Sequence, residues 1–66
     1  MTIQLNGEPY EVGGPVTIGA LLNLLDIDAR RVAVEYNLRV VKRDTYGRIT
    51  VNDGDQVEIV NFVGGG

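Results

Sequence analysis

At 66 residues and a net charge of −3, with 44% hydrophobic and 23% charged side chains, the chain has the make-up of one small folded domain rather than a disordered segment. A domain this short buries only about 60% of the surface its unfolded chain exposes, and with no cysteine it has neither a disulfide nor a thiolate metal site to compensate. Histidine, serine and tryptophan are also absent, so no Ser–His or Cys–His nucleophilic pair can be assembled and the usual base at neutral pH is missing; the composition points away from a stand-alone enzyme.

In chain order, Met1-Thr2-Ile3-Gln4 lacks the positive flank and apolar stretch of a signal peptide, and no run is long and apolar enough for a membrane span, which makes the cytoplasm the expected location. Ile3-Gln4-Leu5 alternates as a half-buried strand does, and Asn6-Gly7 is a strong two-residue hairpin signal. Pro9-Tyr10-Glu11-Val12 is the returning strand, with Pro9 at its start, where a missing N–H is tolerated. Gly13-Gly14-Pro15 breaks the pattern. Thr17 is placed to cap a helix whose Ile18, Leu21, Leu22 and Leu25 form one apolar stripe, leaving Leu24 at its edge and partly exposed.

Val32-Ala33-Val34-Glu35-Tyr36 reads as a central strand with Val32, Val34 and Tyr36 on one face, and Asn37 suits the left-handed conformation that ends it. Residues 38–47 read as irregular, with one short turn around Arg43-Asp44-Thr45-Tyr46, and Arg48-Ile49-Thr50-Val51 as a short edge strand. Asn52-Asp53-Gly54-Asp55 is a dense turn signal, and Gln56 to Val63 forms the last strand. A hairpin, one crossing helix and a return to the sheet make a mixed α+β layer pair: a β-grasp, ubiquitin-like plan with four to five strands on one main helix. The handedness of crossovers places the third strand beside the first.

Two acidic pairs, Asp26 with Asp28 and Asp53 with Asp55, raise the question of a metal. The second lacks the alternating ligands and closing bidentate glutamate of a calcium loop, and aspartates around a glycine are explained by the turn itself. Residues 39–48 hold Arg39, Lys42, Arg43 and Arg48 against Asp44 alone, a local charge of +3 that leaves −6 elsewhere. A solvated loop accounts for this cluster, and an electrostatic contact with a partner is the alternative. The acidity of the remainder disfavours nucleic acid, and Tyr10, Tyr36, Tyr46 and Phe62 do not alternate with basic residues as a base-stacking platform would.

The end of the chain is unlike the rest. Gly64, Gly65 and Gly66 follow a strongly apolar strand, add nothing to a core and lose much entropy if ordered. A frayed end would explain them. A bare-backbone tail is also what a carboxylate needs to enter a narrow channel in another protein. Alternation along the last strand turns Val57 and Ile59 to the core and Glu58, Val60 and Phe62 outward, an exposed apolar pair beside the tail. The chain thus divides into a domain over residues 1–63 and a flexible glycine tail over 64–66.

These features together resemble the ThiS family, the ubiquitin-like sulfur carriers of thiamine biosynthesis. The likeness runs from Ile3-Gln4-Leu5-Asn6-Gly7 through Leu21-Leu22 and Leu25, Val32 to Asn37, Val41 to Tyr46 and Asp53-Gly54-Asp55 to the Phe62-Val63-Gly64-Gly65-Gly66 end. Leu38 stands where Asn-Gly would make a sharper turn, and Lys42 where many members have proline. The resemblance implies a protein co-substrate with no catalytic residues, no metal and no cofactor of its own. An E1-like, ThiF-type enzyme would use ATP to adenylate the Gly66 carboxylate, and a persulfide donor would convert it to a thiocarboxylate. A ThiG-type thiazole synthase would then accept the sulfur. Gly64 and Gly65 would thread the partners' active sites, and Val60, Phe62 and Val63 would form the partner interface. Two alternatives share the fold: the MoaD-like carrier of molybdopterin synthesis, whose family is usually longer, and a β-grasp interaction or RNA-binding module with an inert tail.

Overall fold

The computed structural model of the chain describes residues 1–62, so the expectations for Val63 and for Gly64, Gly65 and Gly66 lie outside the described residues. β1 (Thr2–Leu5) and β2 (Glu8–Glu11) form an antiparallel hairpin in which Leu5 faces Glu8 and Ile3 faces Tyr10. Asn6 and Gly7 turn it with φ of 50° and 82°, both positive as a type I′ turn requires. β3 (Val16–Thr17) leads directly into α1 (Ile18–Leu24), where the Thr17 hydroxyl accepts the Ala20 N–H at 3.1 Å, the expected N-cap.

The helix buries Ile18, Leu21 and Leu22, half-buries Leu25 just past its end and leaves Leu24 63% exposed. Its exit is a Schellman pattern: Asp26 takes φ 59°, its N–H reaches the Asn23 carbonyl at 3.1 Å, and the Ile27 N–H reaches Leu22 at 2.9 Å. The 3₁₀ turn Ala29–Arg31 follows, opened by the Asp28 carboxylate, which accepts the Arg30 N–H at 2.9 Å. The four aspartates considered for a metal are thus turn and loop residues. Among the described residues, no three His, Cys, Asp or Glu side chains gather to hold an ion.

β4 (Val32–Tyr36) has the expected bounds, with Val32 and Val34 buried and Tyr36 half-buried on the same face. Beyond it the expectation of irregular chain is corrected. Asn37 and Leu38 turn with φ of 49° and 70°, and β5 (Arg39–Val41) returns antiparallel to β4. Leucine is not a residue that announces a left-handed turn position, so this hairpin carries no local signal. After a 3₁₀ turn at Arg43–Thr45 comes β6 (Thr50–Val51), which pairs with β3 as a separate two-stranded ladder. Two residues are too few for alternation to reveal β3 in the sequence. The turn before β7 (Gln56–Asn61) uses Gly54 at φ 86°.

The main sheet runs β2-β1-β7-β4-β5, with β7 parallel to β1 and antiparallel to β4. The expectation that the third long strand lies beside the first is therefore wrong. The chain leaves a one-strand gap between β1 and β4, and β7 fills it, satisfying the backbone groups that both neighbours direct into the gap. Five residues of β7 pair with β4, from Val32 opposite Asn61 to Tyr36 opposite Val57. One face of the main sheet packs against α1 around Ile3, Val34 and Val57, with Val51 of β6 in the same core, all fully buried. Among the described residues no buried side-chain polar atom lacks a hydrogen bond, and no helix is long and apolar enough to cross a membrane.

Candidate functional site

The last strand occupies the middle of the sheet and leads towards the glycines, so its anchoring decides how the end of the domain is presented. Two turn asparagines grip it. Asn6 forms a backbone bond to the Val57 carbonyl at 2.9 Å; its side chain accepts the Ile59 N–H at 2.7 Å and donates to the Ile59 carbonyl at 3.2 Å. Asn37 does the same from the other side: its N–H donates to the Gln56 carbonyl at 2.8 Å, and its side chain accepts the Gln56 N–H at 2.8 Å. The left-handed backbone at both asparagines aims the short amides along the strand edge.

Asp55 completes the second grip. It accepts from the Tyr36 hydroxyl at 2.5 Å, from the Asn52 N–H at 2.8 Å and from the Asn37 amide at 3.3 Å. Burial pushes this carboxyl up, but the hydrogen bonds from Tyr36, Asn52 and Asn37 outweigh it and hold the group below its ordinary 3.8. The same bond to Asp55, with burial second, raises the Tyr36 phenol above its ordinary 10.0.

Beyond these anchors β7 behaves as its alternation requires. Val57 is fully buried and Ile59 half-buried, whereas Glu58, Val60 and Phe62 point outward, Val60 at 58% and Phe62 at 59% exposure. Val60 lies opposite Ala33, and Glu35 lies between Glu58 and Val40 across the strands. Val40, 76% exposed, adds an apolar residue to an outer face that also carries Glu35 and Glu58; sequence reasoning missed it because β5 was not expected. Phe62 is the last anchored residue described, its N–H donating to the Arg31 carbonyl at 2.9 Å.

At this end of the sheet lies a groove of about 500 Å³, lined by Arg30, Val32, Ala33, Val40, Val41, Arg43, Tyr46 and Phe62. Arg30 is held by Asp28 through bonds of 2.9 and 3.1 Å. Those hydrogen bonds pull the exposed Asp28 carboxyl down to about 2 and raise the guanidinium. Apart from Arg30, Arg43 and the Tyr46 phenol, whose pKa burial pushes up, the groove is lined by apolar side chains, an arrangement suited to binding.

The fold and this surface define a ubiquitin-like β-grasp domain with Val60 and Phe62 exposed at the end of its last strand. The chain belongs to the ThiS family, whose model matches residues 3–66, the glycines included. It is 35% identical over 65 residues to the sulfur carrier protein ThiS of Bacillus subtilis, covering 97% of this chain and 98% of that one. The crystal structure of the thiamine biosynthesis protein ThiS from Geobacter metallireducens superposes with a TM-score of 0.89 at 39% identity, over 100% of both chains. The whole chain also matches part of a thiazole synthase of Paramagnetospirillum magneticum at 47% identity, and there it spans 20% of that protein's length.

Proposed function

We propose that the chain is a sulfur carrier of thiamine biosynthesis that works in the cytoplasm, is not itself an enzyme and binds no cofactor. The observation that carries this reading is the family match over residues 3–66: it includes the glycines, and they follow a strand that exposes Val60 and Phe62. A free carboxylate is a poor electrophile because its delocalised charge repels a nucleophile. An E1-like enzyme would transfer AMP from ATP to the Gly66 carboxylate, releasing pyrophosphate and creating a mixed anhydride with a good leaving group. The terminal sulfur of a persulfide donor would then displace AMP, and reduction of the resulting acyl disulfide by a thiol would leave the thiocarboxylate. The carrier has no cysteine or histidine to perform either step, so metal and positive charge for the phosphates fall to the partner. Gly64 and Gly65 would thread that partner's channel, with Val60, Phe62 and Val63 docking at its mouth. Thiazole synthase is the proposed acceptor, in keeping with the match to part of such an enzyme.

The test is an intact-mass measurement after incubation with the E1-like enzyme, ATP and a persulfide donor. The protein is expected to gain the mass of one oxygen-to-sulfur exchange, placed on Gly66 by tandem fragmentation. An unaltered mass in an ATP-consuming system, or a change on an internal residue, rejects the reading.

A further inference from the structure

The basic segment is the one sequence feature that the carrier reading leaves unused, and the fold brings part of it to the groove beside Phe62. Arg43 and Arg30 stand on its rim, Val32 and Tyr46 form a buried floor, and Val40 and Phe62 make exposed apolar walls. Among the described residues the single ion pair is Arg30 with Asp28; Arg39, Lys42, Arg43 and Arg48 are in none. Of the basic segment Arg43 alone lines the groove, beside the Asp28-paired Arg30, so its rim carries one guanidinium outside any ion pair among the described residues while the sequence outside residues 39–48 carries −6.

We propose that this groove is a recognition site for an acidic segment of a protein partner that seats one apolar side chain between Val40 and Phe62. The proposal rests on the carrier reading only in expecting the partner to approach the end of the domain that leads into the glycines. An arginine outside any ion pair, as Arg43 is among the described residues, presents a planar donor fork that suits a carboxylate and is less strongly hydrated than lysine, so it gives up water to a partner at lower cost. The apolar floor and walls supply the anchoring contact that charge alone does not. A basic segment is repelled by the rim. A nucleic acid is repelled by the acidic remainder and finds no apolar seat for a phosphate. Complementary charge at such a rim speeds encounter and selects the partner.

The test measures binding of the full chain to the purified E1-like enzyme and to thiazole synthase by calorimetry, at low and high salt. Arg43→Glu and Val40→Asp should each weaken binding to at least one of them by about tenfold or more. Wild-type affinity should fall with salt more steeply than that of Arg43→Glu. Both side chains are exposed, so melting curves should be unchanged, and Glu8→Lys on the opposite sheet edge should bind as wild type does. Arg43→Glu and Val40→Asp binding both enzymes like wild type would overturn the proposal, as would a wild-type dimer that Arg43→Glu dissolves. Thiocarboxylate formation by the wild type, measured separately by mass, tells failure of the groove from failure of the carrier reading: either can stand when the other falls.

Discussion

The two hairpin turns of the main sheet share a backbone conformation and differ by one side chain. Asn6-Gly7 and Asn37-Leu38 both place two residues at positive φ, and in both the asparagine reaches across to clamp β7. The first uses glycine where no side chain is tolerated cheaply. The second holds a leucine at φ 70° and leaves it 77% exposed, at a cost of about 1–2 kcal/mol relative to an unstrained residue. The contrast shows that the grip on β7, not the intrinsic preference of the turn, sets the geometry of the second hairpin. A domain of this length has about 3–10 kcal/mol of total stability, so the strain at Leu38 is carried by its neighbours.

Breaking the grips should have the largest effect. Asn6→Ala and Asn37→Ala each remove two side-chain bonds, leave backbone or carboxylate groups unpaired and place alanine at positive φ. Each should cost about 2–3 kcal/mol in denaturant unfolding and lower the melting temperature by about 4–8 °C per kcal/mol. Losses below about 0.5 kcal/mol at either turn would show that the strand holds its place without the clamp.

Exchanging the distinguishing residue should have a smaller effect, of opposite sign at the two turns. Leu38→Gly relieves the left-handed strain against a greater entropy of the unfolded chain, for a net gain of about 0.5–1 kcal/mol. Gly7→Leu should cost about 1–2 kcal/mol. Loss of stability in Leu38→Gly would mean that the exposed leucine makes a contact that outweighs its strain.

The smallest effect separates the turns by pH. Among the described residues only the second is backed by a carboxylate, Asp55, whose folded-state pKa lies below 3.8. Its stabilisation is present above the unfolded value and is lost as pH falls through the folded one. Wild type and Asp55→Asn should therefore differ most at neutral pH and converge in strong acid. Asp28, lowered to about 2, titrates over the same range in both proteins and cancels in the difference. A constant gap from neutral pH into acid would show that Asp55 acts through packing or shape and not through its charge. At the alkaline end, the raised Tyr36 pKa gives a stabilisation that is lost as pH rises through the folded value above 10.0.

Much of the candidate site could be read from residue order because alternation is a local property. The outward set Glu58, Val60 and Phe62 follows from the inward Val57 and Ile59. Val40 could not be found this way. Its strand depends on a turn whose second residue argues against it, and Glu35 becomes its neighbour only through pairing. Likewise Arg43 and Phe62, far apart in the chain, line one groove only after β7 is in place.

The sequence by itself determined the elements whose energetics are local: the Asn6-Gly7 turn, the Thr17 cap with its apolar stripe, the Gly54 turn and the two faces of β4 and β7. Propensity, capping and alternation act over a few residues, and there the chain agrees with its fold. Only the tertiary structure decided the strand order, the β3–β6 ladder and the existence of β5. Unpaired backbone edges on β1 and β4 demanded a strand between them, and β7 was the one that could reach both. Two clamping asparagines then held the Leu38 hairpin in a conformation its own sequence does not favour.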